Sequence, residues 1–141
     1  MRLNHLDLTV PNVTQCREFF ETYFGFRCVV STTLGNRDVV VLTNEEGFAL
    51  TLNHLDHTKP VQYPYGFHIG FMQDSRDGVD EINQRLLADG FDVDPPQELH
   101  GAWTFYFHAP GGFDVEVLHQ SMRGADGKGQ GSVVTGGQAL L

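Results

Sequence analysis

Cysteine is scarce in this chain of 141 residues: Cys16 and Cys28 are the two present, and they form no CxxC pair. That spacing gives no disulfide framework to read. Basic residues are also few, nine Lys+Arg against eighteen Asp+Glu for a net charge of -9. Nucleic acid and anionic membrane surfaces both demand a basic footprint, so neither is expected as a partner. No apolar run approaches the roughly 20 residues that a membrane span needs, and no charged-then-apolar leader precedes Leu3. The expectation is a reduced, soluble, cytoplasmic protein. From Ser121 onward aromatic residues are almost absent and glycine is frequent, so 121–141 reads as a flexible tail without a core of its own.

What is present is a repeat. Gly47-Phe48-Ala49-Leu50-Thr51-Leu52-Asn53-His54 returns 65 residues later as Gly112-Phe113-Asp114-Val115-Glu116-Val117-Leu118-His119. Gly25-Phe26 and Gly90-Phe91 share that offset, while Asn4-His5-Leu6 and Phe67-His68-Ile69 are 63 apart. One unit is used twice, with modules at about 1–58 and 59–120 of a single domain. At 40% hydrophobic residues, the chain is long enough to bury a real core.

Periodicity gives the elements of each module. Residues 3–10 alternate, with Leu6, Leu8 and Val10 on one face and His5, Asp7 and Thr9 on the other. Asn12 is a candidate helix cap ahead of Cys16, Phe19, Phe20 and Tyr23, and Gly25 is a natural stop. Strands are expected over 26–33, 37–43 and 48–54, separated by turn residues. The second module repeats the plan: a strand over 66–72 that places His68 as His5 is placed, a helix from near Ser75 to Gly90, and strands near 91–93, 103–108 and 113–119. A further strand near 97–99 is weakly signalled. The fold expected is α+β, two βαβββ modules pairing into an open, curved mixed β-barrel.

Pairing two such units about a pseudo-twofold axis gathers equivalent positions, here His5, His68, Thr51 and Glu116. Two imidazoles and a carboxylate are good ligands for a divalent cation and leave coordination positions open for substrate, an arrangement associated with non-haem Fe(II). Aromatic walls are expected from Tyr63, Tyr65, Trp103, Phe105 and Phe107, with Met72 beside them.

The duplication together with His5, His68 and Glu116 resembles the vicinal oxygen chelate superfamily of glyoxalases, bleomycin-resistance proteins and extradiol dioxygenases. The resemblance covers residues 1 to about 120. Thr51 stands where glyoxalase I has a further glutamate ligand, and Asp7 where fosfomycin-modifying members usually have threonine. The run Tyr106-Phe107-His108-Ala109-Pro110-Gly111-Gly112-Phe113-Asp114-Val115-Glu116 is similar to the signature of the type I extradiol dioxygenases. That resemblance implies a metal held by His5, His68 and Glu116, with Fe(II) preferred and Mn, Zn or Ni as alternatives. It also implies His54, fourteen residues before His68, as acid/base, Tyr106 as hydrogen-bond partner of a bound diol, and His100 as the candidate for a further histidine. The expected activity is ring cleavage of a small catecholic substrate, in a homodimer. The alternatives are an isomerase or lyase using the same triad, and a dimer that binds an aromatic drug without catalysis.

Overall fold

The computed structural model describes residues 1–121, so the tail expected over 121–141 lies, apart from Ser121, outside the described residues. The first module runs β1 (His5–Thr9), α1 (Val13–Tyr23), β2 (Arg27–Leu34), β3 (Arg37–Thr43) and β4 (Ala49–His54). The second runs β5 (His68–Met72), α2 (Arg76–Ala88), β6 (Gln97–Leu99), β7 (Ala102–His108) and β8 (Asp114–His119). Each module folds into its own four-stranded mixed sheet, in the orders β1-β4-β3-β2 and β5-β8-β7-β6. The fold is therefore α+β and glyoxalase-like, with two open sheets. Registers match across the repeat: His5 pairs with Ala49 in the parallel β1-β4 ladder as His68 pairs with Asp114 in β5-β8.

Local chemistry explains where the helices lie. The Asn12 side chain accepts from the Gln15 backbone N–H at 2.9 Å, and that of Ser75 accepts from Gly78 at 3.1 Å, each satisfying an otherwise orphaned donor. Both helices run into a left-handed glycine, Gly25 at φ 67° and Gly90 at φ 89°, which ends them without a Cβ clash.

The strand expected over 91–93 does not form. Val93 is buried, but the segment is held by a hydrogen bond from the Asn83 side chain to the Asp94 carbonyl at 2.8 Å. Pro95 and Pro96 follow at once and have no N–H for a ladder. The weakly signalled segment is the real strand, since β6 pairs antiparallel with β7 through Gln97, Glu98 and Leu99.

One core joins the modules. Phe19 of α1 lies 5.9 Å from both Phe91 and Phe107, and Phe24 stacks on Phe71 of β5 at 4.3 Å. Phe20 is fully buried and meets Phe26 and Phe71, a side chain whose burial contributes about 1.5–3 kcal/mol. The module contacts thus use the helix-bearing faces of the sheets. The opposite faces stay open: His5, Asp7 and Thr9 are exposed on β1, as are His68, Gly70 and Met72 on β5. Three expected wall residues sit on the core side instead, because alternation along β7 sends Trp103, Phe105 and Phe107 inward and leaves Tyr106 and His108 outside. Among the described residues no helix is long and apolar enough to cross a membrane, and both cysteines are free thiols.

Candidate metal site

The open face of the second sheet carries a row of functional groups set by strand register. Tyr106 of β7 stands directly opposite Glu116 of β8, and Glu116 opposite Gly70 of β5. Gly70 offers no side chain there, and a Cβ added to it would meet a Glu116 carboxylate oxygen at 3.6 Å. The carboxylate can therefore lie across the strand towards His68, whose Nε2 is 3.9 Å from its Oε2. Its other oxygen accepts from the Thr104 hydroxyl at 2.9 Å. The Glu116 side chain is 14% exposed against 44% for His68, so the acid is held in place and the imidazole looks outward.

Ligand readiness shows in the ring nitrogens. His68 Nδ1 lies 2.9 Å from the Gly66 carbonyl, which can only accept, so Nδ1 is the nitrogen that donates there and Nε2 is the one that faces Glu116. His5 repeats the device, with Nδ1 2.7 Å from the side-chain oxygen of Asn4. Anchoring one imidazole nitrogen by a hydrogen bond so that the other is presented outward is the support that metal-binding histidines normally have. The His68–Glu116 gap is within the span of two ligand bonds of about 2.1 Å to one ion, so these two residues fit a divalent cation.

Tyr106 adjoins the pair, its ring 5.4 Å from that of His68 at 77°. Burial, and then the Glu116 carboxylate that accepts from its hydroxyl, push the Tyr106 phenol up to about 12. It is accordingly a neutral hydrogen-bond donor at any physiological pH.

Other expected residues are placed elsewhere. Among the described residues no three His, Cys, Asp or Glu side chains converge on one point, so a single chain brings His68 and Glu116 together and leaves His5 on the other sheet. His54 closes β4 in unbroken register with Asp38, so it shares the core-side face with Leu50 and Leu52 rather than the face of Thr51. There its Nδ1 is 3.2 Å from the Pro11 carbonyl and its ring centre lies 3.7 Å from that of His57, tilted by 32°. His100, at φ 52°, forms with Gly101 the two-residue turn between β6 and β7, and its backbone conformation serves that hairpin. Thr104 was not foreseen. Its alternation with Tyr106 on β7 was readable, but its contact with Glu116 depends on a register that the sequence alone does not fix.

Residues 2–117 match the family described as the Glyoxalase/Bleomycin resistance protein/Dioxygenase superfamily. The chain belongs to that superfamily. A solved structure described as a possible glyoxalase from Bacillus cereus is 52% identical, with a TM-score of 0.71 and coverage of 84% of this chain and 98% of that one. The fosfomycin resistance protein FosX of Listeria monocytogenes, as a mutant complexed with Mn(II) and 1S,2S-dihydroxypropylphosphonic acid, is 20% identical at a TM-score of 0.71, covering 86% and 94%. A lactoylglutathione lyase of Agrobacterium tumefaciens is 20% identical at a TM-score of 0.64, covering 87% and 96%. The last two likenesses concern the fold alone. No curated protein matches the chain significantly.

Proposed function

We propose that this protein is a divalent-metal-dependent enzyme acting on a small substrate that presents two neighbouring oxygens, and that it works as a homodimer. The observation that carries the reading is the pairing of His68 Nε2 with Glu116 at 3.9 Å on an open sheet face, with Tyr106 beside them. His68 and Glu116 would hold the ion from one chain. His5, with the same prepared Nε2 on the open face of the other module, would complete the set from a second copy. Two properties of the single chain support this: the modules pack together on their core side, through Phe19 of α1 and Phe107 of β7, and the faces that carry His5 and His68 are left open.

The bound cation would supply Lewis-acid polarisation of the substrate oxygens. The protein's own groups do the rest. Thr104 fixes the Glu116 carboxylate, the Gly66 carbonyl anchors the His68 ring, and Tyr106 offers a proton-bearing hydroxyl to a bound oxygen. The specific reaction in this reading is oxygen-dependent cleavage of a catechol with Fe(II), supported by Tyr106 standing ten residues before Glu116 and beside it in space. The acid/base role expected of His54 is not carried forward, because that ring is turned to the core.

A second reading, isomerase or lyase chemistry on the same site, is favoured by the 52% identical relative described as a possible glyoxalase. Metal analysis of purified protein, followed by anaerobic addition of catechol and then oxygen, separates the two. An optical change with catechol and stoichiometric oxygen consumption supports the dioxygenase. A bound metal without oxygen uptake leaves the isomerase or lyase, and protein that takes up no divalent metal removes both.

A further inference from the structure

A substrate hydroxyl that binds a cation as its anion must give up a proton, and neither Tyr106, a neutral phenol, nor the two proposed ligand imidazoles are placed to take it. The chain has seven histidines. His54 is turned to the core, and His57 lies against it with ring centres 3.7 Å apart. His100 sits in the β6–β7 turn. His119 is the register partner of the inward-facing Trp103, and its Nδ1 is 2.9 Å from the Gln73 carbonyl. With His5 and His68 assigned to the ion, His108 is the histidine left on an open face.

Strand register puts His108 in the row that holds His68. Asp114 of β8 pairs with His68 on one side and with His108 on the other, and all three alternate with buried neighbours, so they share the open face. Two strand spacings separate the backbones of the two imidazoles, about 10 Å. A small ring held at the ion has room above Asp114, between them. Asp114 Oδ1 is 3.0 Å from His108 Nδ1. A carboxylate can only accept, so Nδ1 is the nitrogen that donates there and Nε2 is the one presented outward, the arrangement of a base oriented by an acid. The two side chains are 72% and 47% exposed, and an ion pair that open contributes little to stability, so the fold alone does not account for it. A groove of about 300 Å³ adjoins the pair and is walled by Tyr63, Tyr65 and Phe67, at the lower end of the size of small-molecule sites. The open face thus continues from the ligand pair past His108 into an aromatic hollow.

From this we infer that His108, oriented by Asp114, is the group that takes the proton from a substrate hydroxyl bound beside His68 and Glu116. The assignment rests on the reading of those two residues as metal ligands. In the step, the O–H bond of the substrate breaks, its electron pair stays on the oxygen that meets the cation, and the proton passes to His108 Nε2. The imidazolium so formed is paired with the Asp114 carboxylate, and nothing is oxidised or reduced. Asp114 is a positioning residue here, since it acts through His108.

The test uses the full chain loaded with Zn(II), which does not turn over, and 4-nitrocatechol, a diol whose colour reports how many of its hydroxyls are ionised. The colour of the bound probe is followed between about pH 5 and 8, the range in which a histidine exchanges its proton. In wild type the fully ionised colour is expected to persist as the pH falls, because His108 holds the proton that the probe has lost. In His108→Gln, which keeps a polar side chain but no base, the midpoint of that colour is expected to move up by at least about one pH unit, a tenfold change in proton affinity, with Zn(II) affinity unaltered. Asp114→Asn is expected to move it the same way by less. A midpoint that stays where it was in His108→Gln would overturn the assignment, and one unmoved in Asp114→Asn would overturn the part given to Asp114. Loss of Zn(II) from His108→Gln would also overturn it, by making that imidazole a ligand. Wild-type protein that takes up no Zn(II), or takes it up without the diol, would instead remove the reading of the metal site, and the assignment with it.

Discussion

The two open sheet faces descend from one repeated pattern yet carry different chemistry. In the second module Glu116 gathers three partners, the Thr104 hydroxyl, the Tyr106 hydroxyl and His68. At the matching place in the first module stands Thr51, opposite Asp7 on β1, and Asp7 is tied up by the Asn53 amide, which also accepts from Thr9. One face thus presents a supported acid beside an imidazole, and the other a self-satisfied polar network with His5 at its rim. A duplicated scaffold can keep one strong acid per site and spend the other copy of the position on structure. What the first face offers is a single imidazole, so the proposed ligand set draws on one face of each kind.

The sharpest way to break this asymmetry is to remove its centre. Glu116→Ala should abolish divalent-metal binding, a fall of at least about a hundredfold in affinity read by metal titration, since it deletes a proposed ligand outright. Thr51→Ala at the matched position should leave affinity as it was. Equal effects at both positions would show that the two faces are not specialised as described.

Whether the faces combine within or between chains is decided by complementation. His5→Ala and Glu116→Ala proteins should each be inactive alone. Unfolded together and refolded as an equal mixture, they should regain about a quarter of wild-type sites, because half of the dimers are mixed and each mixed dimer holds one intact site of two. No recovery, with both variants folded, would remove the assignment of His5 to a site shared between chains.

Much of this arrangement was legible beforehand, and the reasons differ by level. The architecture was readable because the repeat is written in glycines and aromatics whose spacing survives without an alignment: Gly25 and Gly90 end helices, and Phe48 and Phe113 open the central strands. Alternation put His5 and His68 on their open faces correctly. His54 lies on the face opposite Thr51 for the same reason, because β4 runs in unbroken register through that residue. The missing strand over 91–93 and the inward turn of Trp103, Phe105 and Phe107 were hidden for another reason. A short apolar segment reads the same whether it pairs in a ladder or lines a core, and only tertiary packing decides.

A smaller perturbation tests the support rather than the ligand. Thr104→Val keeps shape and burial but removes the hydroxyl that holds the Glu116 carboxylate, and metal affinity should fall about tenfold, the usual scale for losing such an outer partner. Thr9→Val on the other face removes a comparable hydroxyl from Asn53 and should leave metal affinity unmoved. The contrast between these two substitutions measures how far the polar network of each face serves the ion.

The least invasive probe alters the open face by a single charge. Burial is the larger cause that raises the Tyr106 phenol to about 12, and the hydrogen bond and charge of Glu116 come second. Because the folded value lies above the unfolded one of about 10, the neutral phenol contributes its stability below pH 10 and loses it as the pH climbs towards 12. In an ultraviolet difference titration of metal-free protein, subtracting Tyr106→Phe from wild type should isolate a phenolate that forms near pH 12. The same subtraction in a Glu116→Gln background should show it forming lower but still above 10, since the charge is gone while the burial remains. A value that does not move would mean that Glu116 exerts no field on Tyr106. A value falling fully to 10 would mean that the packing of the open face, and not the acid alone, depends on that carboxylate.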